Sequence, residues 1–130
     1  MDINRELIRF KYKEGDKIKL KKDKYFNNRG KTSKLLDISC SKCDNKILVY
    51  QKDGKGHLHR CYIDRICDPY IYSELQYNPN IRDKKDLPIL ICSVCKESIG
   101  YPMVYKKENR LAYYLIYGKW SSKNSCLVGI

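Results

Sequence analysis

The residues best equipped for chemistry are two cysteine pairs, Cys40-Ser-Lys-Cys43 and Cys92-Ser-Val-Cys95. Two thiolates separated by two residues can grip one metal ion from a tight turn. Two such turns supply four sulfurs, a tetrahedral set that suits one structural zinc ion and leaves no open position. A second group, His57, His59 and Cys61, alternates along an expected strand and would share one face. Imidazoles and a thiolate are also zinc ligands. The outer two would stand ~7 Å from the middle one on a flat strand, so sharing an ion needs a bulge. No carboxylate has the spacing of a partnered general base. Two surface histidines on a hairpin arm are therefore the simpler reading. Cys61, Cys67 and Cys126 read as small apolar residues, with a Cys61–Cys67 half-site as the alternative.

Elements of a definite kind must carry the two pairs. Each pair follows an apolar run, Leu35–Ser39 in one case and Leu87–Ile91 in the other. Lys46–Gln51 reads as the strand after the first pair, Asp53-Gly54-Lys55-Gly56 as a turn, and His57–Ile63 as the return of a β-hairpin. The second half resembles the first. Cys92, Cys95 and Ile99 each lie 52 positions after Cys40, Cys43 and Ile47. With three residues inserted, Val104-Tyr105 answers Val49-Tyr50, and Leu111–Tyr117 is the return strand. The expected unit is strand, cysteine turn, strand, turn, strand, used twice. A repeated unit that cannot bury its own face needs its partner, and one shared ion would join the two.

These four cysteines and their flanking strands, over about residues 35–118, resemble the zinc-ribbon class, in which two such knuckles hold one ion. Many ribbons place glycine after the second cysteine of each knuckle; here Asp44 and Lys96 stand there. The gap between the pairs is also long for a minimal ribbon. The resemblance implies a nucleic-acid-binding or protein-docking module. Rubredoxin-like iron uses similar spacing, but its usual Pro and Gly neighbours are missing. A redox dithiol would want a knuckle at a helix N-terminus, and no such context is visible.

The remaining chain divides simply. Residues 1–34 are expected to form a basic N-terminal arm and residues 35–130 a zinc-ribbon-like β domain with a linker at 67–86. The arm holds twelve Lys and Arg against five Asp and Glu. Within it, Lys17-Ile18-Lys19-Leu20-Lys21 alternates with period two. Paired with Leu7, Ile8, Phe10 and Tyr12, it predicts a β-hairpin with a lysine face. Asn27–Lys31 reads as an exposed loop. The linker carries Asp68-Pro69 and Asn78-Pro79 as breakers around one short helical element. At the C-terminal end, Ser121–Asn124 reads as a polar loop and Cys126–Ile130 as a last strand.

Composition narrows the function. The chain of 130 residues carries a net charge of +12, which favours polyanions as partners. Twelve Tyr against two Phe and one Trp lean towards half-buried strands. Basic residues interleave with tyrosines at Lys24-Tyr25, Arg60 and Tyr62, and Tyr105-Lys106-Lys107. Such strands can neutralise phosphates and stack bases, although any half-buried sheet with a soluble face alternates similarly. No run approaches a membrane span, and the polar start is unlike a signal peptide. A cytoplasmic, reducing setting is therefore expected, and seven cysteines cannot all pair within one chain. Two histidines and no recognisable nucleophile, P-loop or metalloprotease motif argue against an enzyme.

The reading is thus a mainly β protein of duplicated knuckle-plus-hairpin units, joined by one Zn2+ on Cys40, Cys43, Cys92 and Cys95. Its contact residues are expected at Lys17, Lys19, Lys21, Lys22, Lys24, Arg60, Lys106 and Lys107. They would meet nucleic acid or, alternatively, an acidic protein surface as an adaptor or inhibitor.

Overall fold

A computed structural model describes residues 9–13 and 15–127. The chain is mainly β, and the described residues form eight strands in two antiparallel four-stranded sheets. β1 (Ser33–Cys40) and β2 (Lys46–Asp53) form the first hairpin. The short strands β3 (Arg60–Tyr62) and β4 (Ile66–Asp68) follow. β5 (Leu90–Ile91), β6 (Ser98–Tyr105) and β7 (Arg110–Leu115) build the second half, and β8 (Trp120–Asn124) closes the chain. Spatial order is β4-β2-β1-β8 in one sheet and β3-β7-β6-β5 in the other.

The duplication extends to the backbone. In β1 the register shifts between Ile38 and Ser39; in β5 it shifts between Leu90 and Ile91, again 52 positions on. Ile38 faces Leu48, and Leu90 faces Gly100, at the same offset. β2 and β6 both run eight residues from equivalent starting points. No insertion separates the repeats within these strands; the expected match of Val104-Tyr105 to Val49-Tyr50 is corrected to Lys52-Asp53. The halves differ in length only after these strands, where residues 54–59 separate β2 from β3 but only 106–109 separate β6 from β7.

The third strands depart from the sequence reading. β3 does not return beside β2. It pairs with β7 in the other sheet, Cys61 opposite Tyr113. In exchange β8, which follows the second half, pairs with β1 in the first sheet, Ile38 opposite Ser122. The segment read as a polar loop is thus an edge strand. Its side chains at Ser121–Asn124 stay exposed, so no burial pattern betrays it. Cys126 and Leu127 lie in a turn, and the last three residues of the expected final strand fall outside the described ones.

The basic hairpin ahead of β1 is also corrected. Leu7 and Ile8 lie outside the described residues. Among the described residues between Arg9 and Lys22, only Ile18 makes a bridge, its N–H donating to Leu127 O at 2.7 Å. The segment is held by side chains of the body instead. The buried Asp68 carboxylate accepts from the N–H groups of Lys11 and Tyr12, and the Gln51 amide bonds both N–H and C=O of Lys21. A short helix, α1 (Lys24–Asn28), replaces the start of the expected loop, because Asp23 caps it through the N–H groups of Tyr25 and Phe26. α1 straps the two sheets. Asp23 at its start pairs with the buried Arg65, and Arg29 at its end pairs with Glu108 on the β6–β7 turn.

The main core draws on both sheets, with Ile38, Leu48 and Tyr50 from one and Cys61, Leu90, Ile99 and Tyr113 from the other. The stretch after β4 contributes to it. A second short helix, α2 (Tyr70–Ser73), and the turn after it bury Tyr72 and Leu75 there. A smaller cluster of Ile18, Leu35, Val49 and Leu127 covers the opposite face of the first sheet. Among the described residues, no helix is long and apolar enough to cross a membrane.

Candidate metal centre

The two knuckles meet where β1 turns into β2 and β5 into β6. Each is closed by the same pair of backbone bonds. Cys40 N–H donates to Asn45 O and Asp44 N–H to Cys40 O; Cys92 N–H donates to Glu97 O and Lys96 N–H to Cys92 O, all at 2.8–3.0 Å. That closure needs a left-handed residue after the second cysteine. Asp44 has φ 63° and Lys96 φ 66°. Both fill the place where glycine is common, at a cost of roughly 1–2 kcal/mol that Asp tolerates better than Lys.

The four cysteines cluster at metal-binding distance, with all sulfurs within 4.8 Å of one another. Cys40 Sγ lies 3.6 Å from Cys95 Sγ, and Cys43 Sγ lies 3.5 Å from Cys92 Sγ. A tetrahedron with metal–sulfur bonds of about 2.3 Å has edges of about 3.8 Å, so the spacing fits a four-sulfur shell. The first cysteine of each knuckle is fully buried, while Cys43 is exposed and Cys95 half-buried. Trp120, facing Cys40 across the β1–β8 pair, packs against the core beside it.

The four thiols differ in how readily they ionise. Burial opposes ionisation of Cys92, but N–H groups of Cys95 and Val94 and the contacts with Cys43 and Asn45 outweigh it and bring the thiol down to about 6. The Asn45 N–H pulls the Cys43 thiol down, yet desolvation and the neighbouring sulfurs push it up to about 12. Four thiolates this close repel one another unless a positive ion neutralises them.

Two residues that sequence reasoning missed brace the centre reciprocally. Asn45 Nδ2 reaches across to Cys92 Sγ at 3.5 Å and Ser93 Oγ at 3.3 Å. Its counterpart Glu97 reaches back to Lys42 in the first knuckle at 3.7 Å, and to Lys119 at 2.5 Å. Their shared offset of 52 was the available signal. The Lys119 ammonium holds the Glu97 carboxyl below its ordinary range.

His57, His59 and Cys61 do not assemble. The histidines precede β3 in an exposed loop, their ring centroids 6.4 Å apart edge to face. Cys61 is fully buried in the core, where desolvation pushes its thiol up. Among the described residues, the knuckle cysteines alone form a metal-ligand cluster. Cys67 lies half-buried and Cys126 exposed, and all seven cysteines are free.

The expected contact residues are dispersed. Lys17, Lys19, Lys22 and Lys24 are exposed ahead of and at the start of α1, and Lys106 and Lys107 at the β6–β7 turn. Lys21 turns inward, its ammonium donating to Asp64 O at 2.7 Å and to Gln76. Arg60 lies over the Tyr105 ring, 4.4 Å from its centroid. A feature absent from the sequence reading joins it. Arg60 faces Tyr114 across β3–β7, and Tyr114 faces Tyr101 across β7–β6, so the three stand side by side on one face. Tyr101 and Tyr114 are 48% and 55% exposed. No known protein family, curated protein or solved structure matches this chain.

Proposed function

We propose that the four sulfurs hold one structural zinc ion and that the scaffold it joins is a binding protein, not an enzyme, with single-stranded nucleic acid as its partner. A closed shell of four thiolates favours zinc over harder cations and leaves no position for substrate. The observation that carries the partner is the row Arg60–Tyr114–Tyr101. Large aromatic faces left in water on a sheet, beside a guanidinium, are what unstacked bases require. The net charge of +12 adds attraction for phosphates without sequence preference. An adaptor that covers an acidic protein surface would use the charge and would bury the tyrosines against its partner, where they would stack no base.

The test is fluorescence anisotropy with a labelled single-stranded oligonucleotide of about twenty residues at two salt concentrations. Binding should weaken as salt rises. The Tyr101→Ala/Tyr114→Ala double variant should lose affinity about tenfold or more at fixed salt, since stacking contributes roughly 1–3 kcal/mol per base. No binding at low salt, together with a protein partner that survives nuclease and high salt, would replace this reading with the adaptor.

A further inference from the structure

A cleft of about 380 Å3 lies at the Arg60 end of the tyrosine row. That is within the range of about 300–1,000 Å3 seen for small-ligand sites. Its walls are the loop from Gly54 to His59, β3, and Tyr105 of β6, with Arg29 at the end of α1. The loop is held close. Gly54 takes φ 83°, its N–H donates to Thr32 O at 2.8 Å, and a side chain there would press on Arg29 at 3.1 Å.

The cleft holds more positive charge than the protein itself neutralises. Its one carboxylate, Asp53, is taken by the buried Arg65 at 2.8 Å and by Gln51 and Ser33. Arg29 is taken by Glu108 through two bonds of 2.7 and 2.9 Å. Lys52, Lys55 and Arg60 remain, with no ion-pair partner among the described residues. Lys52 donates only to Gly54 O, at 2.9 Å. Burial and the nearby Lys34 and Arg29 charges lower its pKa, so an added anion would relieve it. The Arg60 guanidinium already lies over the Tyr105 ring, 4.4 Å from its centroid, and donates to Tyr62 Oη at 3.4 Å.

We propose that this cleft holds one unstacked nucleotide of a single strand, its phosphate on Lys52, Lys55 and Arg60 and its base against the Arg60–Tyr105 stack. The inference rests on the nucleic-acid reading above and deepens it, because Tyr114 and Tyr101 lead away from Arg60 for the next bases. Planar aromatic and guanidinium surfaces favour a base, and three cations without partners favour a phosphate. Inorganic phosphate alone should therefore bind more weakly than a nucleotide.

The experiment titrates the zinc-loaded full chain with a trinucleotide, with the longer oligonucleotide and with inorganic phosphate. Cleft variants are Arg60→Ala, Arg60→Lys and Lys55→Glu; Lys85→Ala, at an exposed position between α2 and β5, is the control. Lys55 sits in an exposed loop, so its variant tests the cleft even if Arg60→Ala disturbs folding. Trinucleotide affinity should fall about tenfold in Arg60→Ala and Lys55→Glu and stay level in Lys85→Ala. Arg60→Lys, which keeps charge but not the plane, should recover only part of the loss. Equal trinucleotide affinity in wild type and both cleft variants would overturn the inference. So would phosphate binding as tightly as the trinucleotide. If the longer strand binds wild type and cleft variants alike, the cleft inference fails while the surface reading stands. If neither strand binds, both fail.

Discussion

The two halves of this protein agree where the sulfurs are and diverge a few residues away. At the knuckles they share the backbone bonds, the register shift, the left-handed residue and the reach of Asn45 and Glu97 across the centre. Beyond them, β1 runs eight residues and β5 only two. Pro88 explains the shorter strand, since it has no N–H to extend the ladder, whereas its counterpart Leu36 pairs normally with Tyr50. Leu48 fills the core of the first half, while its counterpart Gly100 leaves room for the Tyr114 backbone, 2.9 Å from where a Cβ would sit. Metal geometry tolerates one backbone path at each knuckle. Packing away from it has many solutions, so the copies are free to drift.

The comparison breaks most sharply at the cysteines. Cys40→Ser and Cys92→Ser should each abolish cooperative thermal unfolding, as should a strong chelator. A structural zinc contributes about 10–16 kcal/mol in small domains, against total stabilities of about 5–15. Near-equal losses from the two halves are expected in melts monitored by circular dichroism, with one equivalent of zinc by elemental analysis. A stable Cys92→Ser protein beside an unfolded Cys40→Ser protein would mean that the halves do not share the ion.

The core positions should separate the halves. Leu48→Ala deletes a fully buried side chain and should cost about 2–5 kcal/mol in denaturant unfolding. Gly100→Ala, chemically the opposite change, should cost about 1–3 kcal/mol through overpacking. A neutral Gly100→Ala would remove the steric account of why the copies differ.

Acid should test the strap that joins them. The Arg65 side chain, with help from the Phe26 and Tyr25 N–H groups, holds Asp23 down to about 2 from 3.8. Burial opposes ionisation of Glu108 at the other end, yet its bonds to Arg29 and Arg110 outweigh this and lower it too. A carboxyl lowered on folding stabilises above its unfolded value and loses that contribution as pH falls through the folded one. Melting temperature should therefore decline from near pH 4 towards pH 2, and Asp23→Asn should flatten part of that decline. The same slope in Asp23→Asn and wild type would show that the pair adds nothing.

The smallest effect returns to the knuckles. Lys96→Gly should stabilise by about 1 kcal/mol, by removing left-handed strain, and Asp44→Gly by close to nothing, because Asp accepts that conformation. Equal gains would mean that the two knuckles are under equal strain.

The arrangement of the candidate metal centre was legible because its information is local. Four cysteines, apolar runs ahead of them and an offset of 52 suffice to place two matching turns, and alternation suffices for the β class. Cross-sheet partners carried no such mark. Arg60-Cys61-Tyr62 reads as the return of a hairpin on any local rule, and only the second half's need for a fourth strand takes it to β7. Ser121–Asn124 looks like loop because an exposed edge strand has no buried face to imprint a period on it. The lysine-rich alternation at Lys17–Lys21 misled for the converse reason. Gln51 and Leu127 supply its backbone partners, so period two there reflects docking onto a finished body. Sequence alone therefore determined the four clustered cysteines, their turns and the doubling, all set within a few bonds of each cysteine. Tertiary structure alone decided the exchange of β3 and β8, the Arg60–Tyr114–Tyr101 row and the cleft beside it. Each needs residues far apart in the chain to become neighbours, and a strand's own pattern names the face it buries but not the strand it lies beside.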